Sequence, residues 1–397
     1  MRVTHIITRL ILGGAQENTV ASVLGLKSKP GVEPDLIAGP TTGPEGSLES
    51  SFAETPGLLT IAGHLVRPVH PVKDWLALME LTRLLRARRP DIVHTHSGKA
   101  GVLGRLAARR AGIPIVVHTI HGPSFGPFQG PLANWIFKAA ERRAAAVTTH
   151  FVTVAHAMTR QYLAAGIGHP EQFTRIVSGF PLKPLLHASN DPALRARLGL
   201  TQADFVVGKI ARLTALKGHQ DLLLASREVI QRCPRVKFLL VGDGPGRAPF
   251  EHAVGQRDWQ RHFLFTGRVP PAEIPPLFGI MDAVAHLSYR EGLPRAISQA
   301  LAAGKPVVAY DCDGAGEVCR QDETGFLVRP GNLDELSARL LQLANNPALC
   351  ARLGRRGQQL VMDSFSLEQM VDNLHGLYQR LTENQRNRTT RPAPAAT

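Results

Sequence analysis

The feature that most constrains this chain is an alternation of short apolar runs with longer amphipathic stretches, kept up along its length and broken once. Runs of strand length occupy residues 3–7, 35–38, 92–94, 115–119 and 151–154, and a second series occupies 206–210, 236–241, 263–266, 283–287 and 306–310. Several of the stretches between them read as helices. Residues 75–89 are the clearest, with Leu78, Leu81 and Leu85 at helical spacing and Pro90 as a stop. Alternation of this kind predicts an α/β protein in which doubly wound parallel sheets are covered by helices, here twice over. The break falls near residues 180–204, where Pro181, Pro184 and Pro192 interrupt the pattern.

The expected organisation is a first domain over residues 1–185 and a second over 186–365. A helix over 366–383 follows, opened by the capping-box pattern Ser366-Leu-Glu-Gln369, with apolar positions at Leu367, Met370, Val371, Leu374, Tyr378 and Leu381. Residues 384–397 have nothing to bury and read as a disordered tail. Two such domains form a cleft, and open α/β sheets bind ligands at the carboxyl ends of their strands.

Charge narrows the class of partner. The 397 residues carry a formal net charge of +14, and the pI is near 10.2. The excess is local, because residues 81–145 alone hold 11 basic against 2 acidic side chains. No long basic run or aromatic-studded motif accompanies it, which argues against nucleic acid and for an anionic substrate or membrane face. No apolar stretch approaches the ~18 residues of a membrane span, and the N-terminus reads as a first strand rather than a signal peptide. Four cysteines (Cys233, Cys312, Cys319, Cys350) are too few for a disulfide framework, so a cytoplasmic setting is expected.

Three segments have the composition of a binding site. Gly13-Gly14-Ala15-Gln16 follows the first strand and reads equally as a cradle for an anion at a helix N-terminus or as a plain tight turn. Arg212-Leu-Thr-Ala-Leu-Lys217-Gly218-His219 follows the first strand of the second series and sets a guanidinium and an ammonium where a doubly wound sheet places its ligand, a good clamp for a diphosphate. Glu291-Gly-Leu-Pro-Arg-Ala-Ile-Ser-Gln299 places a carboxylate near a helix start, with Gln299 eight residues later, about two helical turns on. Spacing alone favours a solvated glutamate at a helix N-terminus there.

Other motifs carry blander readings. Gly242-Asp-Gly244-Pro-Gly246 is a turn after a buried strand rather than a dinucleotide fingerprint. His94, His96, His118 and His121 cluster near strand ends, where structural or substrate-contact roles outweigh a metal. Cys312 and Cys319 fit no zinc spacing and read as small buried residues.

In series, these segments resemble the retaining glycosyltransferases of the GT-B fold, family 4, over roughly residues 3–380. The markers run in order: Gly-Gly-Ala-Gln, Asp-Ile-Val-His-Thr-His, Thr-Ile-His-Gly, Ala-Arg-Leu with Lys-Gly-His, Val-Gly-Asp-Gly-Pro, Phe-Thr-Gly, and Glu-Gly-Leu-Pro with Ala-Ala-Gly-Lys-Pro-Val-Val-Ala. The resemblance implies two Rossmann-like domains facing across a cleft, with a nucleotide-sugar donor held mostly by the second. By it, Arg212 and Lys217 neutralise the donor diphosphate, Glu291 binds hydroxyls of the transferred sugar, and position 299 holds the ribose. Gly14 sits against the phosphate or acceptor, and His121 touches the sugar near the reacting carbon. Arg268 and Val269, with Leu293 of the Glu291 motif, complete the donor contacts. The C-terminal helix is expected to pack back on the first domain.

Two departures stand out: Gln299 replaces the family's usual Glu, and Ser178-Gly179-Phe180-Pro181 replaces Asn-Gly-Val-Asp. A glutamine amide still hydrogen-bonds a diol, without the charge.

The expected reaction is glycosyl transfer with retention through a front-face displacement, needing no cofactor or metal because the two cations stabilise the leaving group. The acceptor is expected to be a lipid-linked sugar or glycan at the cytoplasmic membrane face. The rivals are a GT-B nucleotide-sugar epimerase and a non-catalytic sugar-nucleotide or polyanion binder. Phe125, Phe128, Leu132, Trp135, Ile136 and Phe137, beside Lys138, Arg142 and Arg143, read equally as a peripheral membrane helix or as a core helix with a basic end.

Overall fold

The computed structural model describes residues 1–43, 45–126 and 128–390, with side chains through residue 387. The chain divides into two compact units, Met1–Phe180 with the C-terminal segment from Leu367, and Pro181–Ser366.

The first unit begins with β1 (Arg2–Ile7), α1 (Gly14–Lys27), β2 (Glu33–Ala38), β3 (Leu59–Ile61), α2 (Pro71–Arg88), β4 (Ile92–His96) and α3 (Gly98–Ala111). It continues through β5 (Ile115–Ile120), α4 (Pro131–Ala145), β6 (His150–Thr153), α5 (His156–Ala164) and β7 (Phe173–Arg175). Its seven strands lie in the order β3-β2-β1-β4-β5-β6-β7, and every pairing is parallel.

The second unit contains α6 (Lys183–Leu186), α7 (Pro192–Arg197), β8 (Phe205–Ile210), α8 (His219–Arg232), β9 (Val236–Val241), α9 (Arg247–Gly255), β10 (Phe263–Gly267) and α10 (Ile274–Ile280). β11 (Ala283–His286), α11 (Arg295–Ala302), β12 (Val307–Tyr310), β13 (Gly325–Val328), α12 (Leu333–Ala344) and α13 (Pro347–Ser364) complete it. Its parallel sheet has the order β10-β9-β8-β11-β12-β13. The last helix, α14 (Leu367–Thr390), belongs to the first unit.

Period-two alternation explains the two faces of the first sheet. Val3, Ile92, Ile115 and Val117 join Leu26 of α1 and Met370, Val371, Leu374, Leu377 and Tyr378 of α14 in one core. Their neighbours Ile6, Val93 and Val116 join Ala77, Leu81 and Leu85 of α2 and Ala107 and Ala108 of α3 in another. In the second unit, Val207, Phe238, Leu240, Ala285 and Val308 pack with Leu222, Leu223 and Val229 of α8 and Leu336 and Leu340 of α12.

Ten expected strands are present within a few residues of their anticipated ends, and β3, β7 and β13 are additional. α2 starts at Pro71, four residues before the expected 75. His70 caps it by accepting from the Lys73 N–H at 3.3 Å, and Arg89 closes it in the left-handed conformation before Pro90. α14 runs to Thr390, past the expected 383, so residues 384–390 are helical where a disordered tail was anticipated. Residues 391–397 lie outside the described residues.

Both sheets reverse strand order once, between β1 and β4 in the first and between β8 and β11 in the second. Ligands of open α/β sheets bind at such switch points, beyond the carboxyl ends of the strands. The segments singled out above follow these strands: Gly13–Gly14 after β1, Arg212–Gly218 after β8 and Glu291 after β11.

Candidate active site

In the second unit, two loops at the switch point clasp each other. The Tyr289 N–H donates to the Leu216 carbonyl at 2.9 Å, tying the segment after β11 to the turn that carries Lys217. Gly218 follows at φ +62°, and a Cβ there would stand 2.1 Å from the Leu287 carbonyl oxygen, so only glycine fits. The clasp brings the Lys217 ammonium to 2.6 Å from Glu291 Oε1, which also accepts from His286 Nε2 at 3.1 Å. Glu291 is held from the other side, because its own N–H donates to Asp313 at 2.8 Å.

Burial alone would raise the Glu291 carboxyl. The hydrogen bond and charge of His286 and the Lys217 ammonium outweigh it and hold the group well below the usual carboxylate range. Asp221, in the first turn of α8, accepts from the hydroxyls of Tyr289 at 2.5 Å and Tyr310 at 2.7 Å, which fixes the start of that helix beside the turn.

Arg212 is exposed on the same turn as Lys217. Its neighbour Leu213 is anchored by its N–H to the Asp243 carbonyl at 3.1 Å, while the Gly246 N–H returns to the Leu213 carbonyl at 2.9 Å. The Gly242–Gly246 turn therefore serves as a brace for the Arg212 loop. Leu293 and Gln299 are half-buried. Gln299 stands one turn into α11, which starts only at Arg295, so the interval from Glu291 is loop plus one turn and not two helical turns. Arg268 and Val269 directly follow β10, at a different strand end of the same sheet.

Beneath the clasp lies a residue that the sequence reading passed over. Lys209 of β8 is 2% exposed. Burial and the nearby Lys217 charge, against the attraction of Asp221 and Glu291, pull its amine down to about 7. The unfolded chain therefore binds more protons between about pH 7 and the ordinary lysine range, and stability rises with pH across that window. Lys209→Met is expected to stabilise the protein at pH 7 by about 1–3 kcal/mol, with the gain shrinking towards pH 10. Urea denaturation at both pH values checks this.

In the first unit, Gly14 opens α1, and a Cβ on it would meet nothing within 4 Å. Gly13 has φ 173°, extended backbone open to any residue. A Cβ on Gly13 would crowd only the Gln16 side-chain oxygen, at 2.9 Å, so the turn geometry does not strictly demand this glycine pair. His121 follows β5, and its Nε2 lies 3.0 Å from His96 Nδ1.

The four-histidine cluster divides by strand parity. His118 faces α3 and meets Thr95 Oγ1 at 2.9 Å. His94 and His96 point to the other face, with His5, which register places opposite His94. Donor atoms of His5, His94 and His96 lie within 4.8 Å of one another. They are already engaged with each other, with Tyr378 or with Thr119, and the set contains no carboxylate to offset a buried cation.

Ser97, which caps α3, has φ 66° and ψ 163°, a region that essentially only glycine occupies, at an expected cost of about 1–3 kcal/mol. Nothing in the sequence announces that strain beside His96. Cys319 is buried as anticipated. Cys312 is not: it is half-buried, its thiol donating to Asp313, because it sits in the loop that braces Glu291.

The family comparisons agree with this architecture. Residues 13–177 match the Glycosyl transferase 4-like domain, and residues 190–360 match Glycosyl transferases group 1. The chain belongs to the group 1 glycosyltransferases of GT-B fold, enzymes that take their sugar from a nucleotide-sugar donor.

Among its relatives is the UDP-Gal:alpha-D-GlcNAc-diphosphoundecaprenol alpha-1,3-galactosyltransferase of Escherichia coli, 28% identical over 79% of this chain and 81% of that one. The 2-deoxystreptamine glucosyltransferase of Streptomyces kanamyceticus is 29% identical over 79% of this chain and 84% of its own length. Anabaena HepE in complex with UDP superposes with a TM-score of 0.79 at 22% identity, covering 96% of this chain and all of HepE. No helix among the described residues is long and apolar enough to cross a membrane.

Proposed function

We propose that this chain transfers a sugar from a uridine diphosphate sugar, with the anomeric configuration retained, to a lipid-linked saccharide at an anionic membrane surface. The observation that carries the transfer chemistry is the Lys217–Glu291 clasp at the switch point of the second sheet. Arg212 and Lys217 supply fixed positive charge where a departing diphosphate develops negative charge, which does the work of a metal ion there. Glu291 has one oxygen committed to Lys217 and His286. A carboxylate so stabilised is a poor nucleophile, and its other oxygen suits it to accept from sugar hydroxyls.

This favours a front-face displacement over a covalent glycosyl-enzyme. The acceptor oxygen bonds to the anomeric carbon on the face that the diphosphate leaves, and its proton passes to the departing phosphate oxygen. Gln299 is assigned to the ribose, Arg268 and Val269 to the base and Leu293 to packing against the donor. Gly14 is assigned to an anionic group of the substrate and His121 to a hydroxyl of the sugar. The uridine is supported by the UDP complex of HepE and the UDP-Gal donor of the E. coli relative.

The acceptor reading is supported by α4. Phe125 is core, but Leu132, Trp135 and Ile136 are exposed, at 71%, 67% and 48%, beside Arg142 and Arg143. Val69, Val72, Trp75 and Met79 are exposed at the start of α2. Both helices begin at the strand carboxyl ends of one sheet face, so Trp75 and Trp135 stand at one rim. Exposed tryptophans with nearby cations match an interfacial surface, and the E. coli relative's name carries an undecaprenol-linked acceptor.

Sedimentation with vesicles containing phosphatidylglycerol at low salt should bring the protein down. Trp135→Glu with Ile136→Glu should weaken that binding at least about tenfold. Failure of the unaltered protein to sediment removes the membrane part of the reading. Calorimetric titration should find UDP bound in preference to GDP and ADP, and the reverse order removes the uridine.

A further inference from the structure

The carboxyl ends of β1, β4 and β5 carry a file of imidazoles, of which the transfer chemistry above uses only His121. His121 Nε2 meets His96 Nδ1 at 3.0 Å, and His96 Nε2 meets His5 Nδ1 at 2.9 Å. His5 Nε2 faces the Tyr378 hydroxyl of α14 across a long 3.5 Å. That hydroxyl lies 2.5 Å from His94 Nδ1, and His94 Nε2 lies 2.6 Å from Thr119 Oγ1. Three strands and the C-terminal helix thus contribute to one hydrogen-bonded line. His5, His94, His96 and Tyr378 are all but fully buried. A cavity with room for about one water adjoins it, lined by His94, His96, Thr119, Asn18, Ser22 and Met370 among others.

Each neutral imidazole has one N–H and one bare nitrogen, so the proton position on any ring dictates that on the next. Burial keeps the file neutral. It lowers His5 to about 3 and His121 to about 4, and it lowers His94 and His96 well below the ordinary histidine value, with neighbouring imidazoles adding to it in these two. Two arrangements satisfy every contact and also use the Tyr378 proton, one with the protons running inward and one with them running outward.

The 2.5 Å contact decides between them. A phenol is a far better donor than acceptor, so Tyr378 donates to His94 Nδ1, and His94 Nε2–H donates to Thr119. The Tyr378 oxygen is then left to accept from His5 Nε2–H. His5 Nδ1 accepts from His96 Nε2–H, and His96 Nδ1 accepts from His121 Nε2–H.

We propose that His96, backed by His5 and Tyr378, is a positioning residue that locks His121 in the Nε2–H tautomer, so that His121 offers a bare Nδ1 as a hydrogen-bond acceptor to a substrate hydroxyl. His121 Nδ1 has no partner among the described residues, and His121 itself is only half-buried, so that nitrogen is free for a ligand. The inference rests on the reading of His121 as a sugar contact. It specifies what that contact can recognise: a hydroxyl donor, not a carbonyl or phosphate oxygen.

Long-range proton–nitrogen correlation of the histidine rings, with His121 assigned by loss of its signals in His121→Asn, reads the tautomer without any substrate. His121 is expected to show a protonated Nε2 and a bare Nδ1. In His96→Leu the two forms should mix, and kcat should fall about 10-fold or more while KM changes less. Tyr378→Phe, which removes only one buried oxygen, should shift His121 in the same direction and covers the case in which His96→Leu fails to fold. A protonated Nδ1 on His121 in the unaltered protein overturns the proposal. So does an unchanged His121 tautomer in both folded variants. The same correlation spectra separate the two readings: if the tautomer responds as stated while His121→Asn transfers sugar at the full rate, the sugar contact is wrong and the lock stands.

Discussion

Replacing Lys217 by alanine is expected to lower kcat by about 10²–10³-fold or more, the range found when a single group that stabilises developing charge is removed. The loss should fall mainly on kcat, because the ammonium is placed to answer charge that grows as the diphosphate leaves. A second consequence follows from its 2.6 Å contact with Glu291. Without the ammonium, His286 is the side-chain donor left to that carboxylate, and His286 is itself disfavoured as a cation by burial. Glu291 gains stability from being ionised in the fold. That contribution is present above the ordinary carboxyl range near pH 4.5 and is lost as pH falls through the depressed folded value. Lys217→Ala should therefore destabilise the protein at neutral pH, by less as the pH drops below 4. Steady-state kinetics with urea denaturation at pH 7 and pH 3.5 measures both effects, and full turnover in the variant would remove Lys217 from the chemistry.

The second large effect is expected in the first unit, where α3 and α4 share a buried ion pair. Arg105 Nη2 lies 2.5 Å from Glu141 Oε2, with the two side chains 0% and 2% exposed. Arg105 also donates from Nε to the Gly101 carbonyl at 2.7 Å and from Nη1 to Thr148 at 3.3 Å. The other Glu141 oxygen accepts from Ser124 at 3.0 Å, whose hydroxyl in turn meets Tyr162 at 3.0 Å. The pair thus ties the segment after His121 to the helix that exposes Trp135.

Glu141→Ala leaves a guanidinium buried without its counter-charge and should cost about 3–5 kcal/mol. Arg105→Met combined with Glu141→Leu removes both charges together and should recover most of that loss. Urea denaturation of the single and double variants tests the expectation. A single variant within about 0.5 kcal/mol of the parent would contradict it.

Much of this architecture was legible because parallel strands covered on both faces appear as bare apolar runs. β3 and β7 escaped notice for a physical reason. Each is three residues long, sits at a sheet edge and is only partly buried, so the short run at residues 58–62 around β3 is no stronger than a loop's and β7 has no run at all. The far end of α14 lies beyond Tyr378, the last fully buried residue, where no alternation of core positions could extend the helix.

The candidate site divides in the same way. Arg212, Lys217 and Glu291 stood out because strand-end loops place them at a switch point. Lys209 and His286 did not, since a charged or aromatic residue inside a strand declares its role only when its neighbours are known. His5 joined His94 and His96 through the register of β1 with β4, which no local pattern contains. Sequence does not separate membrane helix from core helix for α4, because the face it buries is built on Glu141 and Ala144, and the buried charge of Glu141 is explained only by its partner Arg105 on α3.

Transfer is expected to retain configuration at a donor held by Arg212, Lys217 and Glu291. The anomeric proton coupling of the product formed from an α-linked UDP-sugar tests it most directly. An α-linked product is the result expected, and a β-linked product would contradict the account.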